Sequence, residues 1–425
     1  MDIAVIGSGV SGLSAAYFLS KQHQVIVFEA ESRLGGHSNT VMVDTPSGEQ
    51  AIDTGFIVCN PVNYPNFYNL MGELRVPLQN SDMSLGVSVE HGRVEWSGSD
   101  SLLSVFAQPT LTVSPTHVGM LLSVIRFNRH VKRLLATDAL PDITLGEFLE
   151  QHHYPMALRV RYVAAMAGPI WSMSTAGVMA FPFPHFARFF LSHGLLNVVD
   201  RPQWMTVVGG SQRYVERLCA RSAAQFRAGT PVQGLRRADD GVHLRTADGE
   251  VRFDAVVCAT HSDQALAMLD QPSAEEAEIL GAVPFARNRA VLHSDTSLMP
   301  RRRRAWSSWN ALLDADTLNE QPIAVSYWMN RLQNLRGEQP YIMTLNPPRE
   351  PDASTVVYQT EYTHPQYRAE TVAAQQRLPD IQGGGGVWWA GAWTGYGFHE
   401  DGLKAGLRAV AGIDPACLPR WAEGL

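Results

Sequence analysis

The sequence predicts an α/β domain combined with a mixed α+β domain, and three observations lead to this fold class. The first 29 residues contain a strand, a glycine-rich turn, a helix and a second strand, in that order. Two later segments, residues 207–260 and 386–409, also carry apolar strands beside glycine turns, so we expect them to join the same sheet. With 425 residues, 45% of them hydrophobic, the chain can bury the cores of about two domains.

The first unit has the spacing of a dinucleotide-binding βαβ motif. Residues 3–6 predict a buried strand, and the next turn reads G-x-G-x-x-G, with Ser11 inside it; its glycines are Gly7, Gly9 and Gly12. These glycines make the tight turn, let the backbone approach a pyrophosphate, and let the helix pack closely on the strand. The helix directs its N-terminus at the phosphates. The second strand ends at Glu29, which is placed to bind a ribose.

The residues after Glu29 resemble the E-x-x-x-R-x-G-G extension of FAD enzymes in the glutathione reductase and amine oxidase group. The matching residues are Glu29, Ala30, Arg33, Gly35 and Gly36. In those enzymes the arginine and the glycine pair contact the FAD phosphates. His37 follows directly, so we expect it to position the cofactor. The two motifs together predict FAD.

The later segments resemble the same superfamily, the flavin-containing amine oxidases. Residues 207–260 are similar to four successive elements of that superfamily. A glycine turn and helix come first, followed by a strand at residues 230–235 that places Val232 near the adenine. A β-meander and an exit strand ending at Ala259 complete the segment. Residues 386–409 are similar to its strand reaching Gly391 and its helix starting near Asp401, Gly402 and Leu403, which points at the flavin. Asp53 and Gly55 resemble its D-x-G segment beside the flavin.

We therefore predict a Rossmann-like FAD-binding domain with an inserted mixed substrate domain, as in amine oxidases. The FAD-binding domain is discontinuous and comprises residues 1–77, 201–261 and 384–425. The substrate domain comprises residues 78–200 and 262–383. In it we expect helices over residues 118–135 and 174–191 and strands over residues 289–293, 323–328 and 355–359.

Within the superfamily, five segments look like a bacterial subgroup described as predicted NAD/FAD-binding proteins. They are residues 36–40, 170–172, 193–196, 327–332 and 397–402. That subgroup is similar to flavoproteins linked with cyclopropane-fatty-acid-synthase-like enzymes, including the desaturase of furan fatty acid formation. The resemblance implies an FAD-dependent oxidoreductase that removes hydride from an unsaturated or methyl-branched acyl chain of a membrane lipid.

Two departures weaken the amine-oxidase alternative, which is oxidative deamination. Amine oxidases commonly hold a lysine near the flavin, but this chain has lysine only at positions 21, 132 and 404. The family motif also places Phe398 where a tyrosine is expected, which makes a less polar wall. A third alternative is a noncatalytic flavoprotein that assists a lipid methyltransferase.

Three residues are candidates for catalysis, namely His399, Tyr327 and Trp171. His399 lies just before the helix that faces the flavin, and its alternative role is to cap or position that helix. Glu400 and Asp401 are expected to cap it. Cys59 lies near the D-x-G segment, but the family's covalent cysteine belongs to the C-terminal segment, where this chain has Trp393. We therefore expect noncovalent FAD.

Composition limits the partners and the compartment. A formal charge of −7 gives no global reason to expect nucleic acid. The four cysteines are widely spaced without metal-ligand patterns, so we expect free thiols, no metal and a cytoplasmic location. No signal peptide or spanning helix is predicted. Arg301–Arg304 with Trp306 could contact anionic headgroups at the inner face of the membrane, although a solvated loop explains this segment equally well.

Overall fold

A computed structural model describes residues 1–98, 105–197, 202–313 and 321–425. The predicted domain boundary at residues 200–201 lies outside the described residues. In chain order, the strands among them are β1 (Asp2–Ile6), β2 (Gln24–Phe28), β3 (Thr40–Thr45), β4 (Gly48–Asp53), β5 (Val58–Cys59), β6 (Leu78–Asn80), β7 (Leu85–Val89), β8 (Val94–Ser97), β9 (Met205–Val207), β10 (Gln225–Arg227), β11 (Gly234–Ala238), β12 (Gly241–Thr246), β13 (Gly249–Phe253), β14 (Ala255–Cys258), β15 (Phe285–His293), β16 (Trp309–Leu313), β17 (Ala324–Trp328), β18 (Ile342–Leu345), β19 (Val356–Pro365) and β20 (Val387–Trp389).

The helices of the same residues, in chain order, are α1 (Val10–Leu19), α2 (Pro65–Leu74), α3 (Pro115–Ala136), α4 (Leu145–Gln151), α5 (Met156–Leu158), α6 (Ala165–Trp171), α7 (Thr175–Met179), α8 (Phe183–Ser192), α9 (Gln212–Arg221), α10 (Ser262–Met268), α11 (Ala274–Gly281), α12 (Met329–Leu332), α13 (Ala369–Arg377) and α14 (His399–Ile413). A π-helical segment, Arg159–Ala164, joins α5 to α6. In the part of the chain that the structure describes, no helix combines the length and the apolar character needed to cross a membrane.

A five-stranded sheet in the order β10-β2-β1-β14-β20 unites the three predicted nucleotide segments. All its strands run parallel. Their carboxyl ends therefore lie along one edge, where open α/β sheets bind their ligands. Helices α1 and α14 pack on this sheet through a core that includes Leu13, Phe18, Leu403 and Leu407. The meander β11-β12-β13 packs against the opposite face, through Leu235, Val242 and Leu244.

The second large sheet has seven strands in the order β19-β15-β18-β17-β16-β7-β8. Neighbouring strands are antiparallel, except that β7 runs parallel to β16. One face packs on hairpin β3-β4 through Val43 and Ile52. The helices from α3 to α8 form a separate core with Val87 and Ala311 of this sheet. The fold class is thus confirmed as α/β with an additional mixed α+β part.

Three local expectations differ from the structure. The strand expected over residues 230–235 begins only at Gly234, and the outer strand of the parallel sheet is β10 instead. The helix expected over residues 174–191 is two helices, because Pro182 has a non-helical backbone and α8 begins directly after it. Trp306 is buried, and its indole N–H donates to the Pro300 carbonyl, so it is not an interfacial aromatic.

Candidate functional site

The glycine turn after β1 leaves an open cradle at the sheet edge. Gly7 has φ +96°, which favours glycine, and a Cβ there would lie 2.8 Å from the Ala259 carbonyl oxygen. A Cβ on Gly12 would lie 1.9 Å from the Gly7 carbonyl oxygen, so α1 can pack here only with glycine. By contrast, a Cβ on Gly9 would meet no protein atom within 4 Å. Gly9 therefore borders the space into which the N-terminus of α1 points.

The expected ribose and phosphate segments converge on this cradle. The Glu29 carboxylate accepts hydrogen bonds from the Ser8 backbone N–H (2.8 Å) and hydroxyl (2.6 Å). The Gly35 N–H donates to the Ser8 carbonyl, and a Cβ on Gly36 would lie 3.2 Å from Gly9. Arg33 lies alongside and donates to the carbonyls of residues 36 and 38. Ala30 directly follows Glu29, and Thr230, two residues before Val232, donates to the Glu29 carbonyl.

The second helix at this edge, α14, packs against α1 through small residues. A Cβ on Gly402 would lie 2.7 Å from Val10, and one on Gly406 would lie 2.4 Å from the Ser11 carbonyl oxygen. Leu403 is fully buried, and Gly391 follows β20 at the same edge. The N-termini of α1 and α14 consequently lie together, and both favour negative charge on a bound group.

Two acids at the start of α14 have different roles. Asp401 accepts a hydrogen bond from the Phe398 N–H (3.0 Å), as expected for a cap, and desolvation by burial raises its pKa to about 6. Glu400 instead caps another helix. Its buried carboxylate accepts hydrogen bonds from the backbone N–H groups of Asn66 and Phe67 in the first turn of α2. Glu400 therefore joins α14 to α2 and does not cap its own helix.

His399 lies in a hydrogen-bonded network. Its Nε2 is 2.9 Å from both the Ser38 and the Tyr214 hydroxyl oxygens, and its ring stacks on Phe56 with centroids 3.6 Å apart. Desolvation lowers its pKa to about 3, so the ring is neutral at pH 7. With Nε2 and one ring face engaged by protein groups, this geometry supports the positioning role.

Asp53 and Gly55 connect the cradle to the second sheet. The Asp53 carboxylate accepts hydrogen bonds from Thr40, from the N–H and hydroxyl of Ser211, and from the Gln333 amide, all at 2.6–2.8 Å. Burial raises its pKa to about 6. A Cβ on Gly55 would lie 2.2 Å from the His37 carbonyl oxygen. Both residues thus hold the segment that carries His37.

A cluster of histidines lies beside this segment and was not foreseen from the sequence. We define the histidine cluster as His37, His261, His364 and the adjacent Tyr362. The His37 ring centroid lies 4.8 Å from that of Tyr362, 5.5 Å from that of His364 and 6.4 Å from that of His261. The buried His37 Nε2 has no hydrogen-bond partner, so it is free to meet a polar edge of a bound group.

Amide contacts fix the tautomer of His364. The Arg289 N–H donates to Asn346 Oδ1, and the Asn346 amide donates to Asn288 Oδ1 (2.8 Å). The remaining Asn288 amide nitrogen therefore donates to His364 Nδ1 (3.2 Å), which lies 2.9 Å from the Ser172 hydroxyl as well. Because Nδ1 accepts, the His364 ring proton is on Nε2.

Desolvation keeps the histidine cluster uncharged. It lowers the pKa of His364 to about 4 and is the main cause of the lowered pKa values of His37 and His261. Mutual repulsion adds to the lowering at His37, because a positive charge on one ring disfavours a charge on its neighbours. At neutral pH the cluster presents polar nitrogens without a net positive charge.

An aromatic wall includes one residue of α8 and connects to the histidine cluster. We define the aromatic wall as Trp171, Phe189, Tyr396 and Phe398. Phe398 stacks on Phe189 with centroids 5.2 Å apart, and the Trp171 indole N–H donates to the Tyr396 carbonyl (3.3 Å). Trp171 also packs 4.7 Å from Phe189. Trp171 precedes Ser172, so it connects the wall to His364.

The third catalytic candidate, Tyr327, lies in the apolar face of the seven-stranded sheet and packs edge-on against Trp309 at 5.2 Å. Its strand β17 is three strands away from β19, or about 14 Å at the usual strand spacing. Tyr327 is therefore separated from Tyr362 and His364 of the histidine cluster, which lie on β19.

The cysteines are all free thiols. Burial raises the pKa of Cys59 to about 12, which keeps this thiol protonated and poorly nucleophilic. His23, Asp414 and Cys417 bring three possible metal-ligand atoms together, but hydrogen bonds among these side chains account for the grouping.

The residues at the sheet edge fit a flavin dinucleotide. Gly9 leaves room for a diphosphate, α1 has no side-chain cap, Glu29 directly follows the second strand, and His37 has an unpartnered buried nitrogen. These features define a dinucleotide-binding site of the kind found in flavoproteins. The family model described as flavin-containing amine oxidoreductase matches residues 10–294, and the chain belongs to this family. Its cofactor is FAD.

Named relatives agree with this family. The chain is 28% identical over 271 residues to AofH of Mycobacterium tuberculosis, which carries the name of a flavin-containing monoamine oxidase. The match covers 61% of this chain and 56% of that protein, so the chain spans about half the length of this curated relative.

Solved structures share the whole architecture. Cyclohexylamine oxidase from Brevibacterium oxydans IH-35A has a TM-score of 0.69 at 18% identity, over 98% of this chain and 99% of that one. A CLA-producing fatty acid isomerase from P. acnes has a TM-score of 0.67 at 14% identity, over 97% and 98% of the two chains. At these identities the similarity establishes the fold alone.

Proposed function

We propose that this FAD-dependent oxidoreductase desaturates an unsaturated or methyl-branched acyl chain of a membrane lipid. Phe398 of the aromatic wall carries the proposal, because its partly exposed ring is apolar, is backed by the buried Phe189 and Trp171, and belongs to a wall that connects to the neutral histidine cluster. Burying an acyl chain against such side chains contributes roughly 0.8 kcal/mol per methylene. The fold shared with a fatty acid isomerase and the subgroup resemblance support the same substrate class.

The reaction removes two hydrogens from adjacent or conjugated carbons and forms one C=C bond. FAD, when bound, would supply the hydride acceptor, and the second hydrogen would leave as a proton released to solvent. This chain's residues hold the acyl chain against the aromatic wall and exclude water from it. His364 presents an Nε2–H donor, and His37 presents a free ring nitrogen, so both can orient a polar group without adding charge.

Oxidative deamination is the second candidate, because AofH and cyclohexylamine oxidase are both named for amines. The lysine positions do not supply the lysine that amine oxidases commonly hold near the flavin: Lys21 pairs with Glu73, Lys132 bonds Asn197, and the Lys404 ammonium lies beside Gly424. The nearest acid at the aromatic wall, Asp401, already binds the Phe398 N–H.

Mass spectrometry of the lipid product tests the proposal. FAD-loaded protein incubated with phospholipids that carry unsaturated or methyl-branched chains is expected to yield acyl chains with two fewer hydrogens. Phe398 is the N-cap residue of α14, and asparagine is a favoured residue at that position, so Phe398→Asn should preserve the helix while it removes one aromatic ring. Product formation should therefore fall by about 10- to 100-fold, whereas FAD should remain bound. Unchanged lipids, together with aldehyde formed from an amine panel, would replace this proposal by oxidative deamination. Unchanged lipids and unchanged amines would favour the noncatalytic partner role.

A further inference from the structure

Helix α3 (Pro115–Ala136) has an outward face that changes from apolar to basic along its length. Val118, Leu122 and Ile125 are exposed in its first half, and Leu122 is 64% exposed. Arg129 and Arg133 are exposed in its second half. Successive spacings of four, three, four and four residues place these side chains on one face of the helix. We call these five residues the α3 face.

Charge sets the α3 face apart from the rest of the molecule. The sequence has 41 acidic residues and a net charge of −7, yet none of its acids lies between residues 101 and 137. Arg126, Arg129 and Arg133 take part in no ion pair within the described ranges. The helix is therefore an uncompensated cationic segment on an acidic protein, which favours an anionic partner.

An open groove of about 620 Å³ runs along the α3 face. Leu122, Ile125, Arg129 and Arg133 form one side, and His152 and Tyr154 contribute the other. Arg126 fixes that second side, because it donates to the His152 carbonyl (3.1 Å) and lies 4.2 Å above the Tyr154 ring. The groove thus combines exposed aliphatic side chains with guanidinium groups that have no anionic partner among the described residues.

Helix α8 connects α3 to the aromatic wall. The inner side of α3 contributes Phe127, which packs edge-on against Phe186 of α8 at 6.3 Å. Three residues further along α8, Phe189 belongs to the aromatic wall and stacks on Phe398, with centroids 5.2 Å apart. A surface that contacts α3 is therefore close to the proposed acyl site.

We propose that the α3 face is the docking surface for an anionic phospholipid bilayer. A bilayer interface offers an apolar layer for Leu122 and Ile125 in the first half of α3. It offers anionic headgroups for Arg129 and Arg133 in the second half. The choice of a lipid partner rests on the proposed function, whereas the charge and the exposed apolar residues stand independently of it. The Arg301–Arg304 loop is less suited, because Arg302 pairs with the buried Glu95 and Trp306 is buried.

Vesicle sedimentation of the full-length, FAD-loaded protein tests this surface. The protein is expected to bind vesicles of phosphatidylcholine with phosphatidylglycerol at low salt, and to bind pure phosphatidylcholine vesicles less. Because each arginine contributes roughly a fivefold factor at an anionic surface, Arg129→Glu with Arg133→Glu should lower binding by about 25-fold or more. Leu122→Glu should weaken binding as well. The charge-matched control, Arg301→Glu with Arg304→Glu, changes exposed residues elsewhere and should bind like the unmodified protein, and Val62→Glu is the corresponding control for Leu122→Glu.

Three results would overturn the proposal. The first is that the protein does not bind anionic vesicles, and the second is that the α3 variants bind them as well as the unmodified protein does. The third is a dimer that forms without vesicles and that Leu122→Glu dissociates, because it would identify the α3 face as a contact between copies. Detergent-dispersed acyl substrate separates this test from that of the proposed function. Turnover of dispersed substrate by the Arg129→Glu, Arg133→Glu variant is expected to persist. Vesicle binding without turnover of any lipid would leave docking intact and reject desaturation.

Discussion

Replacing Gly9 with alanine is expected to weaken FAD binding by about 10- to 100-fold while leaving the stability of the flavin-free protein unchanged. The added Cβ would meet no protein atom within 4 Å, so it projects into the cradle assigned to the diphosphate. Overpacking a close contact costs roughly 1–3 kcal/mol, which sets the size of the loss. Titration with FAD, followed by quenching of flavin fluorescence, gives the affinity, and urea unfolding gives the stability.

Two further glycines serve as controls for this substitution. Gly12→Ala places a Cβ 1.9 Å from the Gly7 carbonyl oxygen, so it should reduce both FAD binding and stability. Gly72→Ala lies on the exposed side of α2 with open space around it, so it should bind FAD normally and gain roughly 0.5–1 kcal/mol of stability. Normal FAD affinity in Gly9→Ala would show that the diphosphate lies elsewhere.

Acidification below pH 6.5 is expected to destabilise the fold steeply. Desolvation by burial lowers the pKa of five histidines. The pKa is about 4 for His185, His193, His293 and His364 and about 3 for His399. Since an unfolded histidine titrates near 6.5, the unfolded chain binds these protons first as the pH falls, and the stability present above pH 6.5 is lost toward pH 4. Five such groups contribute at most about 7 kcal/mol per pH unit.

Two carboxyl groups act in the opposite direction. Asp53 and Asp401 have pKa values raised to about 6, so between pH 6 and their unfolded value the folded state holds protons that the unfolded chain releases. Together they raise the free energy of unfolding by at most about 3 kcal/mol for each pH unit of acidification, which is less than the histidines remove. The free energy of unfolding therefore falls by roughly 4 kcal/mol per pH unit, out of a total of about 5–15 kcal/mol.

Urea unfolding at pH 8, 6.5 and 5 measures this dependence. His185→Phe keeps an aromatic ring beside Tyr396 and removes a ring nitrogen that has no hydrogen-bond partner. At pH 8 the variant reports packing alone, and below pH 6.5 its slope should be smaller by about 1.4 kcal/mol per pH unit. A stability that stays constant from pH 6.5 to pH 5, or an unchanged slope in His185→Phe, would contradict the assignment of buried neutral histidines.

Local spacing predicts the nucleotide half of the site. Gly7, Gly9, Gly12 and Glu29 are fixed within one βαβ unit, where each residue's role follows from a few neighbouring residues. The strand predicted over residues 230–235 is only partly correct, because just Gly234 and Leu235 lie in a strand and that strand belongs to the β-meander. The outer strand of the parallel sheet lies earlier, at Gln225–Arg227.

The histidine cluster could not be predicted in the same way. His37, His261 and His364 are far apart in sequence and come together only because β19 pairs with β15 and approaches the turn after Gly36. The one available signal was the position of His261, directly after the strand that ends at the ligand edge. Glu400 shows the same limit, since it caps a helix that begins more than 300 residues earlier.

The central claim, an FAD site that oxidises an acyl chain, is tested most directly by anaerobic flavin absorbance. FAD-loaded protein is mixed with a detergent-dispersed phospholipid carrying an unsaturated or methyl-branched chain, and separately with primary and secondary amines of similar length. The oxidised-flavin band is expected to bleach with the lipid and to persist with every amine. Bleaching by an amine while the lipid leaves the band unchanged would contradict oxidation of an acyl chain at this site.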